Sequence, residues 1–499
     1  MKNQYAISFS QLLEELTRWG LVQSHSPEKE VSITNISYNS KEVTPGTLFF
    51  CKGMAFRPEY LDQAVQAGAC CYLAQTVYRQ DLPYIQVTDI RKAMSVVCIL
   101  FYNRPFEDID VIGITGTKGK TSTSYFMDSI LRQVVGRRCG LLSTVEIYTG
   151  ETETEAHLTT PEAPDLERYF AETRDWGLRY LTMEVSSQAY KMERTLGVRF
   201  KVGVFLNIGL DHISPIEHEN YEDYLSCKLK LMENCDIGVI YRGTKDFERV
   251  WETAQAHCKQ VVTFGEDPRA DVRLLDIRRE NGVFVFSVEY QGKTETYTMD
   301  TPGRFNVENA LAAITVGKLL GFAQEDIAAG IRHVTIPGRM NLFEKDGAVI
   351  LVDYAHNELS FTRLYESLVM DYPGWPIKVL TGSPGGHAYR RRQEIGTLSG
   401  KYCSHIYLTE EDPQFEDVVD ICREMATYIE PFGTSYEIIP DRTQAVEKAV
   451  AQVKPGEVLV IAGKSEEDYQ KVRGQYVPYE SDLAIVRRML QQEKEPSHS

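Results

Sequence analysis

Residues 111–123 read VIGITGTKGKTST. A β-branched run stops at a glycine turn, a Gly-Lys-Thr follows, and the next stretch, YFMDSILRQV, spaces its apolar residues as a helix does. A strand, a tight loop and a helix N-terminus in direct succession are the building unit of a mostly parallel α/β sheet. Backbone N–H groups of such a loop point inward at the start of the helix and suit a phosphate. The common spacing G-x-x-x-x-G-K-[ST] would place its first glycine at Ile114; here Gly113 and Gly116 lie on either side of it. Lys120 can meet phosphate charge, and Thr121 can offer its hydroxyl to Mg²⁺. The Asn-Lys-x-Asp signature of guanine recognition is absent, so ATP is the expected nucleotide.

A chain of 499 residues is too long for one hydrophobic core. Three blocks are read from it. Residues 1–105 hold short strands (SITNISYNS, TLFFCKG, CCYLAQ, YIQVTDI) with helical stretches between, and FYNRPFEDID reads as a polar linker. Residues 106–337 open with the glycine loop and alternate strands such as LRYLTMEVSS and VGVFLNIG with helices. After a break at TIPGRM, residues 338–499 repeat the pattern with AVILVDYAH, IKVLTGS, HIYLTEEDP and VLVIAGKS. In such α/β units ligands sit beyond the carboxyl ends of the strands.

A net charge of −17 argues against a general binder of nucleic acid or anionic membrane. No apolar run approaches the length of a membrane span, and the first residues lack the apolar core of a signal peptide. The ten cysteines are scattered without a C-x-x-C pair, and Cys70-Cys71 is sterically poor for a disulfide. Reduced thiols and a cytoplasmic location are the expectation. The chain is expected to be a monomer.

YEDYLSCKLKLMEN, from Tyr221, reads as a helix. Tyr221, Tyr224, Leu225, Leu231 and Met232 form its apolar stripe; Lys228 falls in the middle of the stripe and Lys230 opposite it. A lysine centred on a buried face is costly unless it snorkels, pairs or changes chemically. Reaction with CO₂ to a carbamate would turn it into an anion able to ligate Mg²⁺. LTMEVSSQ ends a strand at Glu184, and LNIGLDHISPIEH ends another at Asp211-His212. An acid and a histidine at neighbouring strand ends beside a phosphate loop suit a divalent metal. His218 carries no such argument, and Thr159-Thr160-Pro161 alone is an ordinary turn.

Together these stretches resemble the Mur ligase family, ATP-dependent amide-forming enzymes of peptidoglycan assembly. The resemblance runs through GITGTKGKTST, LTTPEAPDL, MEVSSQAYKMERTLG, NIGLDHISPIEH, YLSCKLKLM, GRFNVENALAAI, PGRMNLF, VDYAHN and EEDPQFED. It implies an α/β protein of three domains: an N-terminal domain binding the uridine nucleotide, a central P-loop ATPase-like domain and a C-terminal Rossmann-like domain. It also explains the opening loop, since this family's form is T-G-T-x-G-K-T. The implied substrates are UDP-N-acetylmuramoyl-L-alanyl-D-glutamate, ATP and a diamino acid. ATP would phosphorylate the substrate carboxylate, and the amine would displace phosphate.

By the same resemblance, Gly116, Thr117, Lys118, Gly119, Lys120, Thr121 and Ser122 form the ATP loop, with Lys118 where Asn is frequent. Thr121 and Glu184 match ligands of one Mg²⁺; His212 and carbamylated Lys228 match ligands of a second. Asn309 matches an adenine contact, Arg339 a phosphate contact and Asp353 a ribose contact. Thr159, Thr160, Ser186 and Arg194 match contacts to the muramoyl-peptide. Ser40 lies in the uridine-binding region, where Asn39 and Lys41 replace Asp and Arg.

The amino-acid pocket departs from the pattern. Diaminopimelate enzymes resemble one another in Asp-Asn-Pro-Arg; here the segment is Glu411-Asp412-Pro413-Gln414. Gln414 cannot pair with a second carboxylate as Arg does, which points to L-lysine, with ornithine or diaminopimelate as alternatives. Glu411 replaces the usual Asp. His387 stands where Arg or Lys usually meets the amino-acid carboxylate, and Arg390, Arg391 and Arg392 follow either as substitutes or as solvated loop charges. Glu467 matches an acid facing the substrate amine. Two other readings remain at this level. One is a folate-polyglutamating ligase, against which the N-terminal block stands. The other is an inactive nucleotide-binding paralogue, against which Lys120, Thr121, Glu184, His212 and Lys228 stand together.

Overall fold

The computed structural model describes residues 5–27, 31–53, 56–151, 153–156, 158–209, 213, 217–280, 282–386 and 389–492. The chain forms two compact units. One comprises Met1–Asp276, Phe286–Tyr297 and Ala310–Ile331; the other comprises Ile277–Val285, Thr298–Asn309 and Arg332–Ser499. The first sequence block and residues 106–276 of the second fall in one unit, while the rest of the second block is divided between the two.

The first block folds as α1 (Phe9–Arg18), β1 (Val22–His25), β2 (Asn35–Ser37), β3 (Thr47–Phe50), α2 (Pro58–Gln66), β4 (Ala69–Ala74), β5 (Tyr84–Val87) and α3 (Ile90–Phe101). Its sheet has the order β1-β5-β4-β3-β2. Leu12, Leu16, Phe50, Ile85 and Val97 are among the core beneath it. Ser8 caps α1 in a reciprocal capping box with Gln11. The stretch read as a polar linker is packed: it holds a 3₁₀ turn, Pro105–Glu107, with Pro105 and Phe106 buried.

The second block supplies β6 (Asp110–Thr115), α4 (Lys120–Val135), β7 (Gly140–Leu142), β8 (Glu146–Tyr148), β9 (Glu153–Glu155), α5 (Ala163–Asp175), β10 (Tyr180–Glu184), α6 (Ser187–Lys191), β11 (Phe200–Phe205), α7 (Tyr221–Glu233), β12 (Cys235–Tyr241), α8 (Phe247–His257) and β13 (Gln260–Gly265). Strands β14 (Val272–Glu280), β15 (Val283–Tyr290) and β16 (Lys293–Met299) and helices α9 (Phe305–Leu319) and α10 (Gln324–Arg332) follow, and the division between units runs through this part of the chain. The strand order is β9-β8-β7-β10-β6-β11-β12-β13-β14-β15-β16. From β7 to β14 neighbouring strands are parallel. β10 is buried along its whole length, Glu184 included, and β11 at every residue but Lys201, so neither shows the alternation of a strand with one solvated face. Because Glu184 pairs with Ile114, and Phe205 with Thr115, three strand ends finish level with the glycine loop.

The second unit holds β17 (Asn341–Lys345), β18 (Ala348–Asp353), α11 (Glu358–Asp371), β19 (Ile377–Thr381), α12 (Tyr389–Tyr402), β20 (His405–Leu408), α13 (Val418–Ile429), β21 (Ser435–Ile438), α14 (Arg442–Gln452), β22 (Val458–Ala462), a hairpin of β23 (Tyr469–Val472) and β24 (Gln475–Pro478), and α15 (Asp482–Gln492). Its sheet, β17-β18-β22-β19-β20-β21, is parallel except at β17. One apolar cluster covers each face. The ten cysteines are free thiols. Among the described residues no helix is long and apolar enough to cross a membrane.

Candidate active site

The glycine loop joins β6 to α4. Gly119 takes a φ of +89°, a left-handed conformation that L side chains avoid, and Lys120 opens the helix directly after it. At Gly116 a Cβ would sit 3.0 Å from Leu206 Cβ and 3.1 Å from the Lys118 carbonyl, so the loop favours a glycine two residues later than the common spacing has it. Asn207, at the end of β11, fixes the loop from below: its Oδ1 accepts the Lys118 N–H at 2.9 Å, and its Nδ2 donates to the Lys118 carbonyl at 2.9 Å. The Thr117 hydroxyl lies 3.0 Å from the Tyr224 hydroxyl and accepts the Gly209 N–H. Thr121 and Ser122 are buried in the first turn of α4.

Lys228 lies on the buried face of α7, only 2% exposed, as the sequence pattern implied. Its Nζ donates to the Gly116 carbonyl at 2.9 Å and lies 3.4 Å from Thr115 Oγ1. Lys120 Nζ donates to the same Gly116 carbonyl, also at 2.9 Å. Glu184, 1% exposed at the end of β10, accepts the Thr144 N–H at 2.8 Å and the Thr144 hydroxyl at 3.0 Å. The Thr121 hydroxyl and the Glu184 carboxylate are hard oxygen donors of the kind Mg²⁺ prefers. Asp211 and His212 lie outside the described residues.

Beside Glu184 sits a hydroxyl-lined turn. Thr160 Oγ1 donates to the Glu184 carbonyl at 2.9 Å, lies 3.2 Å from Ser186 Oγ, and accepts the Ser186 N–H. Thr159 Oγ1 lies 3.3 Å from Thr144 Oγ1, whose proton goes to Glu184. Arg194 donates to the Thr160 carbonyl at 3.0 Å and pairs with Glu162 at 2.8 Å. Lys52, from the first block, meets the other Glu162 oxygen at 2.6 Å. Burial works against ionisation of Glu162, but these two cations outweigh it and hold its carboxyl below the ordinary range. Ser40 opens a 3₁₀ turn, Ser40–Glu42, and donates to Gln63.

Asn309, Arg339 and Asp353 belong to the second unit. Asn309 is buried on α9 and donates to Asn306. The Arg339 guanidinium lies 4.6 Å from the centroid of the Tyr354 ring. Asp353, ending β18, accepts the Met340 N–H at 2.8 Å.

The segment Glu411–Gln414, matched by resemblance to the amino-acid pocket, follows β20. Asp412 and Glu467 converge on Lys464, whose buried ammonium donates to Asp412 Oδ1 at 2.9 Å and to Glu467. Glu467 also accepts from the Tyr354 hydroxyl at 2.8 Å. Glu411 is buried, and its Oε2 has no hydrogen-bond partner. Burial pushes its carboxyl up to about 7. A Cβ at Gly463 would lie 2.3 Å from that Oε2, so the longer acid is accommodated by a glycine. The hairpin β23–β24 clamps the segment: Gln414 N–H donates to the Lys471 carbonyl, Arg473 N–H to the Gln414 carbonyl, and Asp412 N–H to Gln470. A Cβ at Gly385, after β19, would lie 1.9 Å from the Pro413 carbonyl.

His387 lies outside the described residues. The three arginines after it are all on α12, and their roles separate. Arg390 pairs with Glu394 on its own helix. Arg392 is no solvated loop charge: it is 3% exposed and held by Glu416 at 2.9 Å and Glu424 at 2.6 Å. Arg391 is the one whose charge reaches Glu411.

Sequence reasoning missed Asn207, Thr144, Tyr224, Glu162 and Lys464. Asn207 and Lys464 stand at strand ends, in LNIG and AGKS, where polar residues after an apolar run carry a signal. The others act through contacts far away in sequence.

Residues 114–317 match the Mur ligase middle domain, and residues 338–465 match the domain described as "Mur ligase, glutamate ligase domain". The chain is similar to the UDP-N-acetylmuramoyl-L-alanyl-D-glutamate--L-lysine ligase of Streptococcus thermophilus, at 38% identity over 92% of this chain and 93% of that one. It is similar to the protein of the same name from Streptococcus agalactiae serotype V, at 39% identity over 93% of each. Among solved structures, a UDP-N-acetylmuramoyl-L-alanyl-D-glutamate--2,6-diaminopimelate ligase shares the fold with a TM-score of 0.67 at 21% identity, over 98% of this chain and 100% of that one. The MurF ligase of Thermotoga maritima in complex with ADP shares it with a TM-score of 0.62 at 19% identity, over 92% and 97%. The loop, the buried lysine and the acid-bearing strand end thus stand in a chain that belongs to the Mur ligase family.

Proposed function

We propose that this protein is an ATP-dependent ligase of peptidoglycan precursor synthesis that joins L-lysine to UDP-N-acetylmuramoyl-L-alanyl-D-glutamate. The observation that carries this reading is the convergence of Lys120, Lys228 and Glu184 at one sheet edge, in a chain 38% identical to a relative named for that reaction. Gln414 supports lysine over diaminopimelate, because a neutral amide gives a second carboxylate no ion pair.

A free carboxylate is a poor acyl donor. Transfer of the γ-phosphoryl group of ATP to it gives an acyl phosphate, the lysine amine adds to that carbon, and the tetrahedral intermediate expels phosphate. The loop amides and Lys120 take the ATP phosphates; Thr159, Thr160, Ser186 and Arg194 hold the acceptor peptide; Ser40 takes the uridine end. Asn309, Arg339 and Asp353 serve adenine, phosphate and ribose. Glu411, Asp412, Gln414, Glu467 and His387 receive the amino acid. Thr121 and Glu184 would hold one Mg²⁺, and His212 with Lys228 as its carbamate a second; bound there, the metal offsets charge among the gathered anions. In this reading residues 1–105, 106–337 and 338–499 act as three domains of a cytoplasmic monomer.

The test is phosphate release from ATP and Mg²⁺ with the UDP-muramoyl dipeptide and lysine, ornithine or meso-diaminopimelate in turn. Lysine-dependent release is the expected result. Release indifferent to amino acid overturns the ligase reading, and a preference for diaminopimelate overturns the role given to Gln414.

A further inference from the structure

His218 has no role in the chemistry above, yet it is completely buried with both ring nitrogens engaged. Nε2 lies 2.8 Å from Ser187 Oγ, and Nδ1 lies 3.0 Å from Asp223 Oδ2. Asp223 also accepts from the Lys191 ammonium and the Glu219 N–H. Burial works against its ionisation, but the hydrogen bonds from Lys191, Glu219 and His218 outweigh it and hold its carboxyl below the ordinary range. An anionic acceptor at Nδ1 puts the ring proton there, so in the neutral imidazole Nε2 accepts from the Ser187 hydroxyl.

Two readings of this cluster fail on its own geometry. Serine, histidine and aspartate in hydrogen-bonded order resemble a nucleophilic triad, but Ser187 is buried at 4% exposure, and a nucleophile must reach its substrate. His218, Asp223 and Cys227 bring three ligand atoms within 4.8 Å of one another. The Lys191 ammonium already occupies Asp223, so a cation would have to displace a cation.

What the cluster does is join two parts of the site. The His218 ring packs against the Tyr224 ring, centroids 5.2 Å apart and planes at 62°. The Tyr224 hydroxyl lies 3.0 Å from Thr117 of the glycine loop. On the other side, Ser187 opens α6 directly after Ser186, part of the hydroxyl-lined turn with Thr160. The path Thr117–Tyr224–His218–Ser187 is contiguous and buried throughout. We propose that His218 is a positioning residue that couples the phosphate loop to the turn holding the acceptor peptide, so that occupancy of one favours the productive geometry of the other. This rests on the assignment of those two elements under the proposed function.

Coupling is a measurable quantity, and contiguity alone does not establish it. Calorimetric titration of the full-length protein with the UDP-muramoyl dipeptide, with and without a non-hydrolysable ATP analogue and Mg²⁺, gives the ratio of the two Kd values. The expected ratio is about fivefold or more. In His218→Ala it falls to within about twofold of unity, while the affinity for the ATP analogue alone changes by less than about twofold. Ser187→Ala and Tyr224→Phe each remove a single hydroxyl and lower the ratio in the same way, and combining either with His218→Ala lowers it no further. They decide the matter if His218→Ala does not fold. A wild-type ratio of one, or variants that melt at the wild-type temperature and keep the full ratio, overturns the proposal. Wild-type protein that binds neither ligand overturns the proposed function instead.

Discussion

Lys120 and Lys228 donate to one oxygen, the carbonyl of Gly116, each from 2.9 Å. Two ammonium groups around one atom repel; at a separation of about 5 Å the repulsion is roughly 3 kcal/mol for an effective dielectric of 20. Addition of CO₂ to the Lys228 amine would replace that repulsion with attraction and leave an anion at the sheet edge. The expected outcome for Lys228→Ala is a loss of about 100-fold or more in kcat, partly reversed by added formate or acetate, read as phosphate release. Full activity without the added carboxylate rules out the carbamate.

Glu411 predicts a pH dependence of amino-acid binding. Its carboxyl, pushed up to about 7 by burial, is neutral below that pH and charged above it. The distal ammonium of lysine, with an ordinary pKa of about 10.4, stays charged throughout. The KM for lysine should therefore fall as pH rises from about 6 to 8, by up to about tenfold per unit. In Glu411→Gln this slope should disappear, and KM should stay high at every pH.

Gln414 offers a change of selectivity. Its backbone is fixed on both sides by the hairpin through Lys471 and Arg473, so a longer side chain should alter the pocket without shifting the loop. Gln414→Arg should lower kcat/KM for lysine and raise it for meso-diaminopimelate, changing their ratio by about tenfold or more, the effect of one charge-assisted hydrogen bond. Competition between the two amino acids in one reaction measures it directly.

Glu167, on α5, is 1% exposed with Oε2 lacking a hydrogen-bond partner. Burial pushes its carboxyl up to about 8. The folded state therefore keeps this proton where the unfolded chain has lost it, and stability falls as pH rises from the ordinary carboxylate value towards 8. At roughly 1.4 kcal/mol per unit of difference, the loss reaches a few kcal/mol. Glu167→Gln should raise the Tm clearly at pH 8 and change it little at pH 5, as thermal unfolding at the two values would show.

The glycine loop, the alternation of strands and helices and the buried face of α7 were legible in the sequence, because each rests on local periodicity or on a short run of residues. Lys228 shows the gain from that reasoning: its place in the apolar stripe already implied the burial that the structure has. Contacts made across long sequence separations were not legible. Lys464 bridging Asp412 and Glu467, and Asn207 bracketing Lys118, depend on which strand ends share a sheet, and the pattern of one segment does not specify its neighbour. Arg392 is the converse case. Three arginines in a row look like a solvated face, yet the helical turn sends one inward to two glutamates.

The contact between Gly385 and the Pro413 carbonyl has a bearing on how this pocket can change over generations. Two main chains meet there with no room for a side chain between them, so the floor of the recognition loop is set by backbone alone. On the proposed assignment, preference for one amino acid over another can then drift through single exchanges at Glu411 or Gln414 while the frame beneath stays still. Lengthening the loop, by contrast, would unseat the hairpin and the strand end together.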